Sequence, residues 1–474
     1  MSKQTSKWII LIILSSSIFL SVIDIFIVNV AIPAIKKGIH GTDGDIQLVI
    51  ALYLLGYAAF LITGGRAGDY YGKKNVFIVA MLSFTFASLL CGISQTAFQL
   101  NTARFFQGIS AAFMVPQGIT YIQLLFPAPQ ERIKAMGIYG SIAGAASVIG
   151  QFLGGILPDT HFFIAGWRLI FLINLPLGII SAFLAAKLLK DNTITKTGKF
   201  DYSGVLLLTI ALVSLIYPLI RGSELGWPWW SIVLIVLSIV LLFIFLYDQK
   251  RKLLQRKEPL INVRLFGYKD FNIGLCAVLF YFMAQDSYFL INAILLQTGF
   301  GISSSETGIF FVFQGAGYVL ASLVAIQLIP VYGKKVLQAG VLIMVTALIL
   351  HILFFKSAAV SRMIFLPILF IYGTGCGSVL PSLLTMALKS IPPKFAGAAS
   401  GTFSTFQQTA IALGIGIVGG VFFYVLGKAG TLQAYLSAYQ TATIINVILL
   451  LFVSVFLFLL PEKNTTLRNN RVKR

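Results

Sequence analysis

The sequence predicts an all-α integral membrane protein of fourteen transmembrane helices, arranged as two six-helix lobes with two additional central spans. Three observations predict it. The 474-residue chain is 58% hydrophobic and only 11% charged, with a mean hydropathy of +0.91. Soluble domains carry about 25% charged residues, so this little charge cannot cover a globule of such size. Apolar stretches long enough to cross a bilayer, about 20 residues each, recur along the whole chain. The basic residues fall between alternate stretches, which fixes an even number of crossings.

The spans follow in order. The first covers about 8–35; it is too long for the apolar region of a secretory signal, about 7–15 residues, and lacks an A-x-A cleavage site, so it reads as a retained span. Stretches near 46–66, 75–94, 97–119, 132–157 and 168–189 complete a first six-span lobe over residues 1–190. Residues 191–270 hold two linker spans, near 203–220 and 229–248, with their cytoplasmic loops. Six more, near 271–296, 306–329, 335–355, 361–387, 396–423 and 436–460, form a second lobe over 271–474. Trp227, Trp229 and Trp230 sit at a span boundary, where aromatic rings anchor to the lipid interface. Ser303-Ser-Ser-Glu306 reads as a capping box opening the tenth span. The longest polar stretches, near 190–202 and 249–270, are too short for a folded domain.

The net charge of +20 would point to nucleic acid in a soluble protein. Here its distribution points to the bilayer instead, and no nucleic acid is expected. Of the 35 Lys and Arg, only Lys36, Lys37, Arg168, Arg221, Lys356, Arg362 and Lys428 fall on one side, and Arg104 lies within a span. All the others fall on the opposite side, which the positive-inside bias makes cytoplasmic, together with both termini.

The two halves echo each other. Tyr71-Gly72-Lys73-Lys74 follows the second span, and Tyr332-Gly333-Lys334-Lys335 follows the tenth, 261 residues later. The same shift carries Asp24 to within one residue of Asp286. Repeated halves are the build of many secondary transporters, which bind substrate near the midplane between them.

Other classes are excluded by what the chain lacks. Cys91, Cys276 and Cys376 lie inside apolar runs, and His40, His161 and His351 are scattered, so neither a disulfide framework nor a metal centre is expected. No nucleotide-binding P-loop occurs, since Gly68-Asp-Tyr-Tyr-Gly72-Lys73-Lys74 has the wrong spacing and no Ser or Thr. Without a cofactor or a catalytic constellation, the chain reads as no enzyme, and an ATP-driven pump is not expected.

Charged side chains inside spans are costly and mark function or a buried partner. Asp24 lies mid-span with Ser17 and Ser21 on its face; it is either a proton carrier or a structural acid bonded to a neighbouring helix. Asp286 lies in the ninth span beside Gln285, Tyr288 and Asn292, where a proton and a cation could compete for one carboxylate. Arg104 stays protonated; it either influences a nearby carboxylate or snorkels to the outer interface. Gly65, Arg66, Asp69, Gly72, Lys73 and Lys74 form a cytoplasmic loop motif, with Asp69 expected to cap a helix or pair across the halves as a gate. Tyr53, Tyr57, Phe113, Tyr281, Phe282, Tyr288 and Phe313 are candidates for an aromatic cavity suited to flat cations, with Gln107, Asn292, Gln314, Gln407 and Gln408 as polar members.

Several strings carry a resemblance. Gly65-Arg-Ala-Gly-Asp69-Tyr-Tyr-Gly72-Lys73-Lys74 resembles the loop signature of the major facilitator superfamily. Ser21-Val-Ile-Asp24-Ile-Phe-Ile-Val-Asn29-Val-Ala-Ile-Pro33 resembles the first-span signature of its fourteen-span drug:proton antiporters. Arg104-Phe-Phe-Gln107-Gly108 and Trp167-Arg168-Leu-Ile-Phe171-Leu-Ile-Asn174-Leu-Pro176-Leu-Gly178 resemble its fourth- and sixth-span motifs. The fifth-span antiporter motif is present in its glycines, Gly140, Gly144, Gly150, Gly154 and Gly155, but Gln151 stands where the family has proline, which softens a kink and leaves the direction of coupling open. The glycines are expected to let helix backbones approach.

The resemblance implies a major facilitator fold in the bacterial cytoplasmic (inner) membrane, working as a monomer by alternating access. It implies export of amphipathic, cationic organic compounds against inward proton flow, with Asp24, Asp286 and Arg104 in proton coupling. Its partners would be a small organic substrate, protons and lipid; a periplasmic adaptor has no sequence signal. The alternatives are a proton-coupled transporter of a specific metabolite, sugar, peptide or siderophore, and a non-transporting receptor or channel.

Overall fold

A computed structural model describes residues 7–160, 164–190, 201–355, 362–392, 395–428 and 430–460. The basic residues at 3, 196, 199, 356, 394 and beyond 460, and His161, lie outside them. Among the described residues the chain is helical throughout, without a β-strand.

The first half contains α1 (Lys7–Ile39), α2 (Asp43–Tyr71), α3 (Lys73–Ile93), α4 (Ala97–Leu125), α5 (Pro129–Ile156), and a sixth crossing broken into α6 (Gly166–Leu172) and α7 (Asn174–Leu188). Then come α8 (Tyr202–Glu224) and α9 (Trp229–Leu254). The second half contains α10 (Lys269–Ile294), α11 (Ser304–Tyr332), α12 (Lys334–Phe354), α13 (Arg362–Ala387), α14 (Ala396–Leu426) and α15 (Leu432–Leu459). Thirteen crossings are apolar enough to span a bilayer by composition. The remaining one, α4, has 29 residues but carries Asn101, Arg104, Gln107 and Gln117, all buried, so its polarity turns inward.

The helices begin and end where local chemistry dictates. Thr42 caps α2 in a full capping box: its hydroxyl accepts from the Asp45 N–H, and Asp45 accepts from the Thr42 N–H at 3.0 Å. Ser303 caps α11 by accepting from the Glu306 N–H at 3.2 Å. The expected cytoplasmic loop motif is corrected by the structure: α2 runs through Gly65, Arg66 and Asp69 to Tyr71, and Lys73 already opens α3. A single residue makes that turn, Gly72, whose φ of 84° is open to glycine at no steric cost. Gly333 likewise joins α11 to α12 as a single residue of positive φ (55°), with ψ of −129° against 128° at Gly72, so the echo is one of position rather than of backbone conformation.

Packing repeats as well. α2 lies along α4, α1 along α5 and α3 along α4; their counterparts are α11 on α13, α10 on α14 and α12 on α13. Across the halves α2 meets α14, and α5 meets α11. The α8–α9 pair stands beside the seam, with α8 touching both α2 and α14. α9 has few buried residues, as expected of a helix bordered mostly by lipid.

At the end of the bundle carrying the Gly72 and Gly333 turns, hereafter the basic end, Asp201 staples the segment after α9. Its carboxylate accepts from Lys252 (2.5 Å), Gln249 (2.9 Å) and the backbone N–H groups of Gly204 (2.8 Å) and Leu260 (2.9 Å). Burial alone would raise this carboxyl; the Lys252 ammonium, Gln249 and the two N–H groups outweigh it and hold it below the ordinary range.

Candidate functional site

The three intramembrane charges fall into two different environments. Asp24 of α1 is 0% exposed and Arg104 of α4 is 1% exposed; they form an ion pair in the interior of the first half. Asp24 also accepts from Gln107 Nε2 (2.8 Å) and Asn174 Nδ2 (3.0 Å). The Arg104 guanidinium donates to Gln107 Oε1 (2.7 Å) and the Val49 carbonyl (3.0 Å), and lies over the Tyr53 ring at 4.3 Å. Asn174 sits at the break between α6 and α7 and donates on to Ser88 (3.0 Å). Arg104 therefore does not snorkel to an interface. A buried guanidinium needs partners for its donors, and this network supplies them at Nε and Nη1.

Asp286 of α10 has no such company. It is 4% exposed, and neither an ion pair nor a side-chain hydrogen bond engages its carboxyl among the described residues. It borders a cavity of about 440 Å³ between the halves, walled by α1, α2, α4 and α5 on one side and α10, α11, α13 and α14 on the other. Phe26, Tyr57, Phe282, Phe289 and Phe403 supply aromatic walls, and Gln151, Gln285, Gln314, Gln407 and Gln408 supply amides. The lining reaches from Asp286 at mid-depth to Leu384, one turn from the basic end of α13.

The opposite end is shut between α5 and α11. A Cβ on Gly155 would lie 2.6 Å from the Gly308 Cα, so the two backbones touch without side chains between them. Beside them Asp159 accepts from both the Ser305 N–H and hydroxyl at 2.8 Å. A π-helical turn, Leu295–Gly299, continues α10 and aims Gln297 Nε2 at the Val30 carbonyl, 2.7 Å away. One extra residue in a helical turn rotates the following side chain, which lets Gln297 reach α1.

The structure redistributes the expected residues. Tyr57, Phe282, Gln314, Gln407, Gln408 and Asp286 line the cavity, as do Gly140, Gly144 and Gln151. Tyr53 and Gln107 belong to the Asp24 network instead. Tyr281, Tyr288 and Asn292 are packed inside the second half: Tyr288 stacks on Tyr372 (3.8 Å) and meets His351 Nε2 (3.2 Å), while Asn292 accepts from Tyr439 (3.0 Å). Phe313 is 43% exposed, and Phe113 lies on an apolar groove beside Tyr71 and Tyr202, so neither reaches the cavity. A single helix face cannot present every aromatic residue inward; those a few residues off register turn to lipid or to a neighbour.

Two further expectations change. Gly140 and Gly144 bring no helix close, since a Cβ on either would meet nothing within 4 Å; their absent side chains leave room in the cavity. Gly150 and Gly154 do face backbone, at Ile23 and Ile27 of α1, and Gly155 faces α11. In the Gly65–Lys74 motif, Asp69 pairs with Lys73 of its own motif (2.8 Å) rather than across the halves. Arg66 makes the longer reach, to the Pro259 carbonyl (3.0 Å) and Glu258 (3.5 Å) in the segment that Asp201 staples. Gly65 faces Pro116 of α4, and Lys74 lies in the first turn of α3.

Sequence reasoning missed Asn174 and Ser88, Gln285 as a cavity residue, and the Asp159, Gln297 and Gly308 closure. Asn174 stood inside a quoted motif, and Gln285 beside Asp286. The closure had no signal, because its partners are more than 100 residues apart.

Comparison with known proteins agrees with this architecture. The profile of the Major Facilitator Superfamily matches residues 14–247, 202–415 and 274–474. The chain is 32% identical over 431 residues to the "Probable actinorhodin transporter" of Streptomyces coelicolor, covering 90% of this chain and 74% of that one. It is 28% identical over 406 residues to the multidrug resistance protein Stp of Mycobacterium tuberculosis, covering 85% and 74%. It is 29% identical over 441 residues to the puromycin resistance protein pur8 of Streptomyces alboniger, covering 92% and 84%. Among solved structures, a bacterial homologue of the human lysosomal transporter Spinster, inward-facing and unoccupied, superposes with a TM-score of 0.69 at 16% identity over 97% of both chains. A D-xylose–proton symporter superposes at 0.66 with 12% identity over 96% and 98%. With the profile matched across nearly the whole chain and the fold shared, this multi-pass membrane protein belongs to the major facilitator superfamily of transporters.

Proposed function

We propose that the protein is a secondary transporter that exports amphipathic, cationic organic compounds in exchange for protons by alternating access. The observation that carries this reading is the unpartnered Asp286 carboxyl on the central cavity. Asp24 is already neutralised by Arg104, so Asp286 is the acid free to exchange a proton for a cation. Proton binding releases the cation, and cation binding releases the proton; this competition is sufficient for antiport. The similar proteins named for drug and antibiotic resistance support export.

In this reading the Asp24–Arg104 network holds the first half rigid and senses its rearrangement. Residues 1–190 and 271–474 move as two lobes that part and rejoin at the α5–α11 contact, while α8 and α9 ride at the seam. The membrane is the bacterial cytoplasmic membrane, the termini and the basic end are cytoplasmic, and the cavity faces the cytoplasm, ready to load. No cofactor takes part, and the monomer is the working unit. Each proton moving down a 100 mV potential contributes about 2.3 kcal/mol to the cycle.

The test is ethidium efflux from energised cells, comparing wild type with Asp286→Asn at equal protein level. Uncoupler-sensitive efflux that the variant loses is the expected result. Equal efflux by the variant makes Asp286 structural. No efflux of several cationic dyes overturns the drug reading and favours a specific-metabolite transporter. Gln151 gives that second reading its support, because it places a cavity amide where the resembling antiporters have proline.

A further inference from the structure

The cavity holds more unmet hydrogen-bond acceptors than the exchange of one charge requires. The side-chain carbonyl oxygens of Gln151, Gln285, Gln314 and Gln408 are buried and each lacks a hydrogen-bond partner. The four residues are between 3% and 7% exposed, and all of them border the same cavity as Asp286. They come from α5, α10, α11 and α14, so amides of both halves border the cavity, and a turn about the terminal torsion, which is soft in glutamine, presents each oxygen to a ligand. The Asp24 network shows the contrast: there Gln107 Oε1 is taken by Arg104 at 2.7 Å.

A buried acceptor left without a donor is unfavourable, and a ligand that supplies the donor gains in proportion. A quaternary ammonium ion or a phosphonium satisfies the charge of Asp286 and the aromatic walls through cation–π contact, but it brings no N–H group. A primary ammonium brings three donors and a guanidinium five. Sites built to hydrogen-bond a polar group reject analogues that lack it far more strongly than apolar pockets reject a missing methylene.

We propose that this site selects amphipathic primary amines or guanidines, whose several N–H donors bridge Asp286 to the glutamine carbonyls, over quaternary cations of the same size. The inference rests on the cation-export reading above and narrows its substrate class. Because the acceptors come from both halves, a multi-donor cation draws α5 toward α10, α11 and α14, whereas a quaternary cation engages Asp286 and the aromatic walls but none of the amides.

The experiment is equilibrium binding to the full chain in lipid nanodiscs, with 2-(2-naphthyl)ethylammonium and its N,N,N-trimethyl derivative as a matched pair. The primary amine is expected to bind at least about tenfold more tightly. Gln314→Leu and Gln408→Leu, each near the size of the native side chain, are expected to weaken the primary amine severalfold and the quaternary compound less. Monodisperse elution on size exclusion shows that each variant is folded. Equal or tighter binding of the quaternary compound overturns the inference alone, as does equal weakening of both ligands by the leucine variants. Binding of neither compound overturns both the inference and the cation-export reading.

Discussion

The α5–α11 contact predicts how the conformational balance will respond to one methyl group. Gly155 and Gly308 belong to different halves, and their backbones meet at the end opposite the cavity mouth. A Cβ on Gly155 would lie 2.5 Å from the Ser304 carbonyl oxygen and 2.6 Å from the Gly308 Cα, both of which are backbone atoms that cannot swing aside. Ordinary carbon contacts are about 3.5–4.0 Å, so α5 and α11 must separate by roughly 1 Å to admit Gly155→Ala. Overpacking of this kind costs about 1–3 kcal/mol. The penalty applies only while this end is shut, because the open state of an alternating-access cycle parts the two helices. About 2 kcal/mol on one side of a two-state balance changes the ratio of states roughly 30-fold. The assay is a spin-label distance distribution between Lys37→Cys on α1 and Thr431→Cys before α15, in a background whose three native cysteines are replaced. Gly155→Ala should enlarge the long-distance population, and Gly155→Val more so, with each variant monodisperse by size exclusion. An unchanged distribution in a folded Gly155→Val variant would refute the view that this contact closes a gate.

Two other perturbations follow from buried charge. Asp24→Asn leaves Arg104 charged and without its partner, and breaking a buried pair from one side costs about 3–5 kcal/mol; the double variant Asp24→Asn/Arg104→Met should recover part of it. Thermal unfolding in detergent checks this, and a double variant no more stable than the single one would show that the pair is not the origin of the loss. Asp201, held below the ordinary carboxylate range, contributes stability that is present above its unfolded value of about 3.9 and is lost as pH falls through its lower folded value. The unfolding-temperature gap between wild type and Asp201→Asn should therefore stay constant from about pH 5 to 7 and close below about pH 4. A gap that instead grows with acid would reverse the assignment.

Much of the fold was legible because the bilayer imposes a simple rule on the chain. Each crossing must satisfy its backbone internally and show lipid an apolar face, so length and hydropathy reveal it. α4 shows the limit of composition alone, since its polar residues serve the interior; only its place between neighbours identifies it as a crossing. The Gly72 turn was legible as a motif, yet its reach was not. The sequence shows two lysines, an arginine and an aspartate close together, and cannot say that Asp69 pairs with Lys73 while Arg66 reaches Glu258.

Sequence by itself determined that the chain crosses a membrane many times, that its halves repeat, and which intramembrane charges call for explanation. It did so because these depend on residue type and spacing along one chain. The tertiary structure decided that Asp24 and Arg104 neutralise each other while Asp286 stands alone on a cavity, and that Gly155 meets Gly308 at the closed end. Those distinctions depend on which helix faces which across 80 or more positions of the chain, and a carboxylate's chemistry is set by the partners that reach it.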